Sequence, residues 1–263
     1  MTIGALEKLR SELRGLAEPG MRGQLVRVLR PPDDDELLGV RVPVMRELAR
    51  RYRGLAREDV DVLLRSRVHE ERFAGLLVLA EQVRTARGAE RKALVDFYLA
   101  RTDRVDNWDL VDGSAYVVLG PWLLDGPAAG SAEVPADGPS DSPADRTADR
   151  LEVLDELAGS AWLWDRRIAV VATLALIRAG RFEPTLRLVH RLRGDPEPLI
   201  HKASGWMLRE IGRRDEQTLV DFLDRHVTEL PRITVRYAVE RLAPDARARF
   251  VRTRQGWVGN RIS

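Results

Sequence analysis

The sequence of 263 residues contains no cysteine. Disulfide bonds, thiolate metal sites and cysteine nucleophiles are therefore excluded, and the composition suits a reducing compartment. Histidine is scarce as well. The four histidines, His69, His190, His201 and His226, do not have the His-Glu-x-x-His spacing of a catalytic zinc site. We therefore expect no bound metal and no other cofactor.

Long apolar runs are also missing. No stretch approaches the roughly 20 apolar residues that a membrane-spanning helix requires. The N-terminal residues 1–8 do not join a basic region to an apolar segment, as a secretory signal would. We therefore expect a cytoplasmic protein with no membrane partner.

The alternation of apolar and polar residues that is typical of strands is missing too. Apolar residues instead recur three and four positions apart, with Gly or Pro between the segments, which predicts helices throughout. With 44% hydrophobic residues, the chain can form an extended core, and we predict an all-α fold. The predicted helices cover residues 6–16, 21–29, 43–52, 58–67, 70–86, 90–101, 107–119, 149–157, 163–178, 184–192, 199–213, 216–229 and 233–242.

One segment departs from this pattern. Residues 126–147 are rich in Gly, Pro, Ser, Ala and Asp and have almost no large apolar side chain. Such a composition cannot offset the entropy of ordering, so we predict a flexible acidic insertion. It interrupts a helix pair and does not separate two complete cores, so we treat residues 1–263 as a single domain.

Charge is unevenly distributed. Residues 125–150 hold six acids and two arginines, a net charge of −4, which leaves +6 for the rest of a chain whose total is +2. A basic surface of this kind attracts phosphates. The tail at residues 247–263 adds five arginines and Trp257. It is either a solvated chain end or an arm that contacts phosphates or the minor groove.

Three segments combine tryptophan with charge in otherwise apolar helices. Trp108 and Asp112 are four residues apart and therefore share one helical face. Residues 162–167, Trp-Leu-Trp-Asp-Arg-Arg, open another helix. In a third, Lys202, Trp206 and Arg209 also share a face. The plainer interpretation is that these aromatics pack in a core and the charges pair locally.

Together these segments resemble the DNA alkylation repair glycosylases built from HEAT-like helical repeats, the AlkD-like family, over most of the chain. Trp108 and Asp112 match the family's tryptophan and acid. Residues 162–167 match its aromatic-then-arginine helix start, and residues 202–210 match its Lys-x-x-Gly-Trp-x-Leu-Arg-Glu helix. Residues 38–43, Leu-Gly-Val-Arg-Val-Pro, resemble its entry into the second repeat, although Val42 replaces a hydroxyl residue and can supply neither a cap nor a phosphate contact.

The resemblance implies a right-handed α-solenoid of stacked HEAT-like hairpins with a concave basic cleft. It also implies a nucleoid-associated monomer that hydrolyses the N-glycosidic bond of cationic N3- or N7-alkylated purines in double-stranded DNA. Asp112, Trp108 and Trp206 would be the catalytic residues. Arg167, Arg209 and Lys202 would bind DNA.

Two questions stay open from the sequence. HEAT-like solenoids are often binding surfaces, so a non-catalytic scaffold for DNA or protein is the alternative function. Within the enzyme class, the substrate could be 3-methyladenine, 7-methylguanine or a bulky N3-adenine adduct removed as self-resistance, because each presents a cationic leaving group.

Overall fold

A computed structural model describes the backbone of residues 4–125 and 143–259, and the side chains of residues 4–125 and 150–252. Within these ranges the regular structure is helical, and the β-type pairing found there is one isolated bridge between Glu36 and Val68. The all-α prediction is therefore confirmed. No helix in the described ranges is long and apolar enough to cross a bilayer.

The chain forms two compact units, Met1–Trp122 and Leu123–Ser263. Helices of the first unit are α1 (Ala5–Gly15), α2 (Pro19–Leu29), α3 (Val42–Arg51), α4 (Arg57–Leu64), α5 (His69–Thr85), α6 (Gly88–Leu99) and α7 (Trp108–Leu124), with a short 3₁₀ turn at Thr102–Arg104. The last of these, α7, continues two residues past the boundary between the units.

Helix α5 forms the centre of the first unit. It packs against α3 and α4, and every residue from His69 to Leu79 is buried. A helix buried on all sides is normally apolar throughout. However, α5 begins with four buried polar residues, listed in order as His69, Glu70, Glu71 and Arg72. Buried charges require partners, so the start of α5 should be bonded to the elements around it.

The second unit contains α8 (Pro143–Ala158), α9 (Leu163–Ala172), α10 (Leu174–Arg178), α11 (Glu183–Arg191), α12 (Pro198–Gly212), α13 (Glu216–His226), α14 (Arg232–Ala238) and α15 (Pro244–Gly259), with a 3₁₀ turn at Leu192–Gly194. Its central helix is α12, which packs against α9, α13 and α14. Apolar residues of α12 such as Met207 and Leu208 are fully buried.

Several predicted boundaries differ from the structure. The helix predicted at 163–178 is divided at Thr173, whose buried hydroxyl donates a hydrogen bond to the Val170 carbonyl at 2.7 Å. Such a bond competes with the helical ladder and bends or breaks a helix. Helix α8 begins at Pro143, so the last five residues of the predicted insertion are helical, whereas residues 126–142 lie outside the described ranges. The solenoid arrangement stays a prediction.

Candidate functional site

The first candidate site residues lie at the start of α7. Asn107 precedes the helix and is almost completely buried. Its Oδ1 accepts the Trp108 N–H at 2.7 Å, its carbonyl accepts the Val111 N–H at 3.1 Å, and its Nδ2 donates to the Leu29 carbonyl at 3.2 Å. These bonds satisfy free N–H groups of the first turn. They also attach the start of α7 to the end of α2.

Trp108 and Asp112 lie one turn apart on α7, as the spacing predicted, and both are partly exposed. The next residue, Gly113, fixes the rotation of the helix. A Cβ atom at Gly113 would come within 2.4 Å of Cε2 of Phe73 on α5. Because only glycine permits this approach, α7 packs closely on α5 with the Trp108 and Asp112 face turned partly to solvent.

A chain of buried and half-buried charges lies beside this face. His69 Nε2 is 2.8 Å from Asp109 Oδ2, and His69 Nδ1 is 3.6 Å from Asp35 Oδ2. Arg72 donates to both oxygens of Asp35, at 2.9 and 2.6 Å, and to Asp106 at 3.1 Å. We call these five residues the α7 network. It links the loop before α3, the start of α5 and the start of α7.

The network changes the proton affinity of its members. Burial lowers the pKa of His69, but the hydrogen bond to Asp109 and the nearby carboxylate of Asp35 outweigh it and raise that pKa to about 9. Burial would raise the pKa of Asp35, but the nearby His69 and the hydrogen bonds from Arg72 outweigh it and lower that pKa to about 2. Burial raises the pKa of Asp106. At neutral pH, His69 is therefore an imidazolium that donates to Asp109.

The sequence interpretation did not identify this network. Its residues come from three segments, 35, 69–72 and 106–109, and their meeting depends on tertiary packing. One signal was present in the sequence: the run His69-Glu70-Glu71-Arg72 stands directly before the apolar stretch 73–80. Buried polar residues are uncommon unless they are paired, so this run could have indicated a buried polar cluster.

A groove with a volume of about 280 Å³ opens beside Gly113. Its lining includes Arg46 and Arg50 of α3, Glu81 of α5 and Tyr116 of α7. The two arginines are exposed. They were not among the predicted DNA-binding residues, and they place positive charge in the groove beside Gly113.

Residues 38–40, the first half of the Leu-Gly-Val-Arg-Val-Pro motif, have a structural role in the first unit. The buried carboxylate of Glu70 accepts the N–H groups of Leu38, Gly39 and Val40 at 2.9, 2.7 and 3.3 Å. Gly39 has φ +88°, and a Cβ there would lie 2.4 Å from the Glu18 carbonyl oxygen. The motif therefore holds the entry to α3. Val42 is the first residue of α3, and the N-cap position is Arg41, whose side chain makes no capping hydrogen bond.

Arg167 lies on α9 in the second unit and is 5% exposed. Its Nη1 donates to the Leu199 carbonyl at 2.6 Å, at the start of α12. The preceding Arg166 pairs with Asp195 at 2.7 Å. Both arginines of the predicted motif therefore join α9 to the segment that leads into α12. The predicted phosphate contact of Arg167 stays a prediction, and it has little exposed surface with which to make one.

Lys202, Trp206 and Arg209 follow one face of α12 and are all partly exposed. Arg209 forms an ion pair with Glu240, which follows α14. For Lys202, no hydrogen bond or ion pair is found within the described part of the chain. Packing requires the glycine of the motif at residues 202–210, because a Cβ on Gly205 would come 2.6 Å from the Thr234 carbonyl oxygen of α14.

The predicted site residues thus form two groups. Trp108 and Asp112 lie together in the first unit, and Arg167, Lys202, Trp206 and Arg209 lie in the second. Of the basic tail, Arg247 and Arg249 belong to α15 and Arg249 pairs with Asp224. The side chains from residue 253 onward, including Trp257, lie outside the described ranges.

Known proteins provide a family assignment. A solved structure titled "Predicted DNA alkylation repair enzyme from Enterococcus faecalis" is similar with a TM-score of 0.61 and 17% identity, over 87% of this chain and 97% of that one. The structure of smu.31 from Streptococcus mutans UA159 has a TM-score of 0.46 and 13% identity, over 91% of this chain and 100% of the other. No curated protein sequence is significantly similar to the chain. The family model described as "DNA alkylation repair enzyme" matches residues 9–133 and 137–242, so the chain belongs to the DNA alkylation repair enzyme family.

Proposed function

We propose that the protein is a DNA glycosylase that hydrolyses the N-glycosidic bond of cationic N3- or N7-alkylated purines in duplex DNA. The observation that carries the proposal is the pairing of Trp108 and Asp112 on the partly exposed first turns of α7, in a chain of the DNA alkylation repair enzyme family. A protein that only binds polyanionic DNA gains nothing from a carboxylate at its binding surface, because the carboxylate repels phosphate.

The proposed chemistry requires one carboxylate. As the bond between C1′ and the base nitrogen breaks, positive charge develops on the sugar, and a carboxylate held nearby stabilises it. Asp112 also orients the water whose oxygen forms the new bond to C1′, and accepts the proton that this water loses. The alkylated base carries a positive charge before cleavage and departs as a neutral molecule. It therefore needs no general acid.

The aromatic residues suit a cationic substrate. An aromatic face attracts a cation by about 0.5–2 kcal/mol, more when water is excluded. We assign Trp108, beside Asp112, to the contact with the charged nucleoside. Trp206, on α12 of the second unit, is kept as a candidate catalytic aromatic. Lys202 and Arg209 are assigned to backbone phosphates because they share the exposed face of Trp206. Arg167 remains a third candidate for a phosphate, although its bond to Leu199 also supports α12.

The test separates chemistry from binding. Asp112→Asn should lower the single-turnover rate of base excision about 10²- to 10³-fold, the usual cost of one preorganised electrostatic group, with little change in DNA affinity. Asp96→Asn is the control, since Asp96 is an exposed acid of the same unit paired with Lys92. Excision at the wild-type rate by Asp112→Asn would show that the catalytic assignment is wrong.

The substrate and the alternative function are tested in the same assay. Duplexes carrying 3-methyladenine, 7-methylguanine or a bulky N3-adenine adduct are incubated with the protein and then cleaved at abasic sites with alkali. The ranking of rates identifies the preferred lesion and shows whether bulky adducts are accepted. If the wild-type protein binds each duplex but releases no base, the non-catalytic scaffold is the correct function.

A further inference from the structure

Three potential metal ligands meet in the second unit, outside the proposed catalytic residues. His190 lies near the end of α11, His226 is the last residue of α13, and Glu229 follows in the next turn. Their ligand atoms all lie within 4.8 Å of one another. We propose that these three residues bind a divalent transition-metal ion of the Zn²⁺ class. This inference is independent of the proposed glycosylase function.

The distances suit such an ion. His190 Nε2 is 3.3 Å from Glu229 Oε2, and His226 Nδ1 is 3.9 Å from Glu229 Oε1. Zinc is bound by nitrogen and oxygen at about 2.0–2.2 Å in tetrahedral geometry, so neighbouring ligand atoms are roughly 3.3–3.5 Å apart. Small side-chain rotations therefore bring the three ligands into position. The fourth coordination position is left to water.

The orientation of His226 supports the assignment. Its Nδ1 atom is buried, and no hydrogen-bond partner for it is found within the described part of the chain. A buried polar atom without a partner is costly, and an unexplained one often indicates a missing ion or water.

The ligand types select the metal. Imidazole favours zinc, copper, nickel and cobalt, whereas Mg²⁺ and Ca²⁺ require oxygen ligands. Two imidazoles with one carboxylate also form a known zinc ligand set. The sequence indicated no metal because its histidines lack the close spacing of ligands on one helix. Here His190 and His226 come from different helices, and only folding brings them together.

Arg193 limits the affinity of this site. Its Nε lies 3.2 Å from Glu229 Oε2, so it competes with the metal for the carboxylate. The ion would replace this exposed pair with a link between α11 and the end of α13. Because both helices pack against α12, the metal would brace the helix that carries Lys202, Trp206 and Arg209.

The experiment uses the full untagged chain, stripped of metal with EDTA and titrated with Co²⁺. A four-coordinate site gives cobalt a stronger visible absorption than an octahedral one, and Zn²⁺ should displace it while Mg²⁺ should not. Glu229→Gln, His226→Gln and His190→Gln should each weaken binding at least about tenfold. His201→Gln is the matched control, because His201 lies in the same unit and bonds to the Asp195 carbonyl.

A further variant gives an effect of opposite sign. Arg193→Gln removes the competing cation and should tighten Co²⁺ binding about two- to fivefold, the range of an exposed ion pair.

Glu229 is exposed, so Glu229→Gln tests the site even if the His226 variant fails to fold. The proposal is overturned if Glu229→Gln binds Co²⁺ as the wild type does. It is also overturned if His201→Gln loses as much affinity as the ligand variants, or if Mg²⁺ competes as well as Zn²⁺.

Discussion

The start of α7 carries Trp108 and Asp112, and the partly exposed face of α12 carries Lys202, Trp206 and Arg209; the two helices are held in place differently. At α7, buried ion pairs surround the helix start, and His69 and Arg72 have side-chain exposures of 2% and 1%. At α12, close backbone packing at Gly205 holds the helix, and Arg209 meets Glu240 with exposures of 22% and 45%. Both helices are also packed closely at a glycine, but the charged pairs beside the proposed residues are largely buried at α7 and partly exposed at α12.

This difference matches what each region is proposed to do. Stabilising charge that develops in a transition state requires groups fixed before the reaction begins. The α7 network supplies that rigidity next to Trp108 and Asp112. Holding a flexible phosphate backbone requires exposed cations that exchange one anionic partner for another. The Arg209–Glu240 pair is of this second kind, because a phosphate oxygen can take the place of the Glu240 carboxylate.

The largest expected effect tests the difference in burial directly. Arg72→Met removes the buried cation that Asp35 and Asp106 share, leaves Asp35 only the more distant His69, and should lower the free energy of unfolding by about 3–5 kcal/mol. Arg209→Met removes a partly exposed cation and should cost less than about 1 kcal/mol. Urea unfolding at pH 7 measures both. Equal losses in the two variants would contradict the comparison.

The next effect concerns pH. His69 has an ordinary pKa of 6.5 that the fold raises to about 9. Below pH 6.5 both the folded and the unfolded chain hold this proton, and the contribution of His69 to stability is complete. Between pH 6.5 and 9 the unfolded chain loses the proton while the folded chain keeps it, so the contribution decreases. Above pH 9 it is absent. Across that window the loss should approach about 3 kcal/mol, because each pKa unit corresponds to about 1.4 kcal/mol.

The matched variant isolates His69 from other titrating groups. His69→Gln should be less stable than the wild type at pH 6, and the difference between the two should shrink by about 3 kcal/mol by pH 9. His201→Gln, whose ring bonds to a backbone carbonyl, should show no such convergence. Urea unfolding at pH 6, 7.5 and 9 provides the data. A difference that stays constant with pH would mean that His69 is not charged in the folded protein.

The sequence predicted one region better than the other. The Trp108 and Asp112 pair and the Lys202, Trp206 and Arg209 face follow from helical periodicity, which is local information. The α7 network depends on segments separated by about 70 residues, from Asp35 to Asp106, and no local pattern states that they meet. Its partners are set by the packing of α5 against its neighbours, a tertiary property.

The positions of Arg166 and Arg167 also show that local sequence patterns do not predict tertiary contacts. The sequence predicted that both arginines lie in the first turns of a helix. Adjacent residues point in directions about 100° apart on a helix, so a small rotation decides which one is buried. In the structure Arg167 is buried against Leu199, and Arg166 pairs with Asp195. Periodicity predicted the helix but not its rotation.

The smallest expected effect concerns the α12 face, and its sign distinguishes a DNA contact from a structural pair. If Lys202 and Arg209 each hold one phosphate, Lys202→Gln and Arg209→Gln should reduce the slope of log K against log salt by about 0.9 each on undamaged duplexes, independently of sequence. Arg84→Gln, which removes an exposed cation paired with Glu81 in the first unit, controls for overall charge.

Glu240→Gln then gives the decisive result. Removing this carboxylate frees Arg209 for phosphate and should tighten DNA binding roughly two- to fivefold. If the Arg209–Glu240 pair instead stabilises the fold, Glu240→Gln lowers the melting temperature and leaves DNA affinity unchanged. In that case Arg209→Gln also keeps the wild-type slope of log K against log salt.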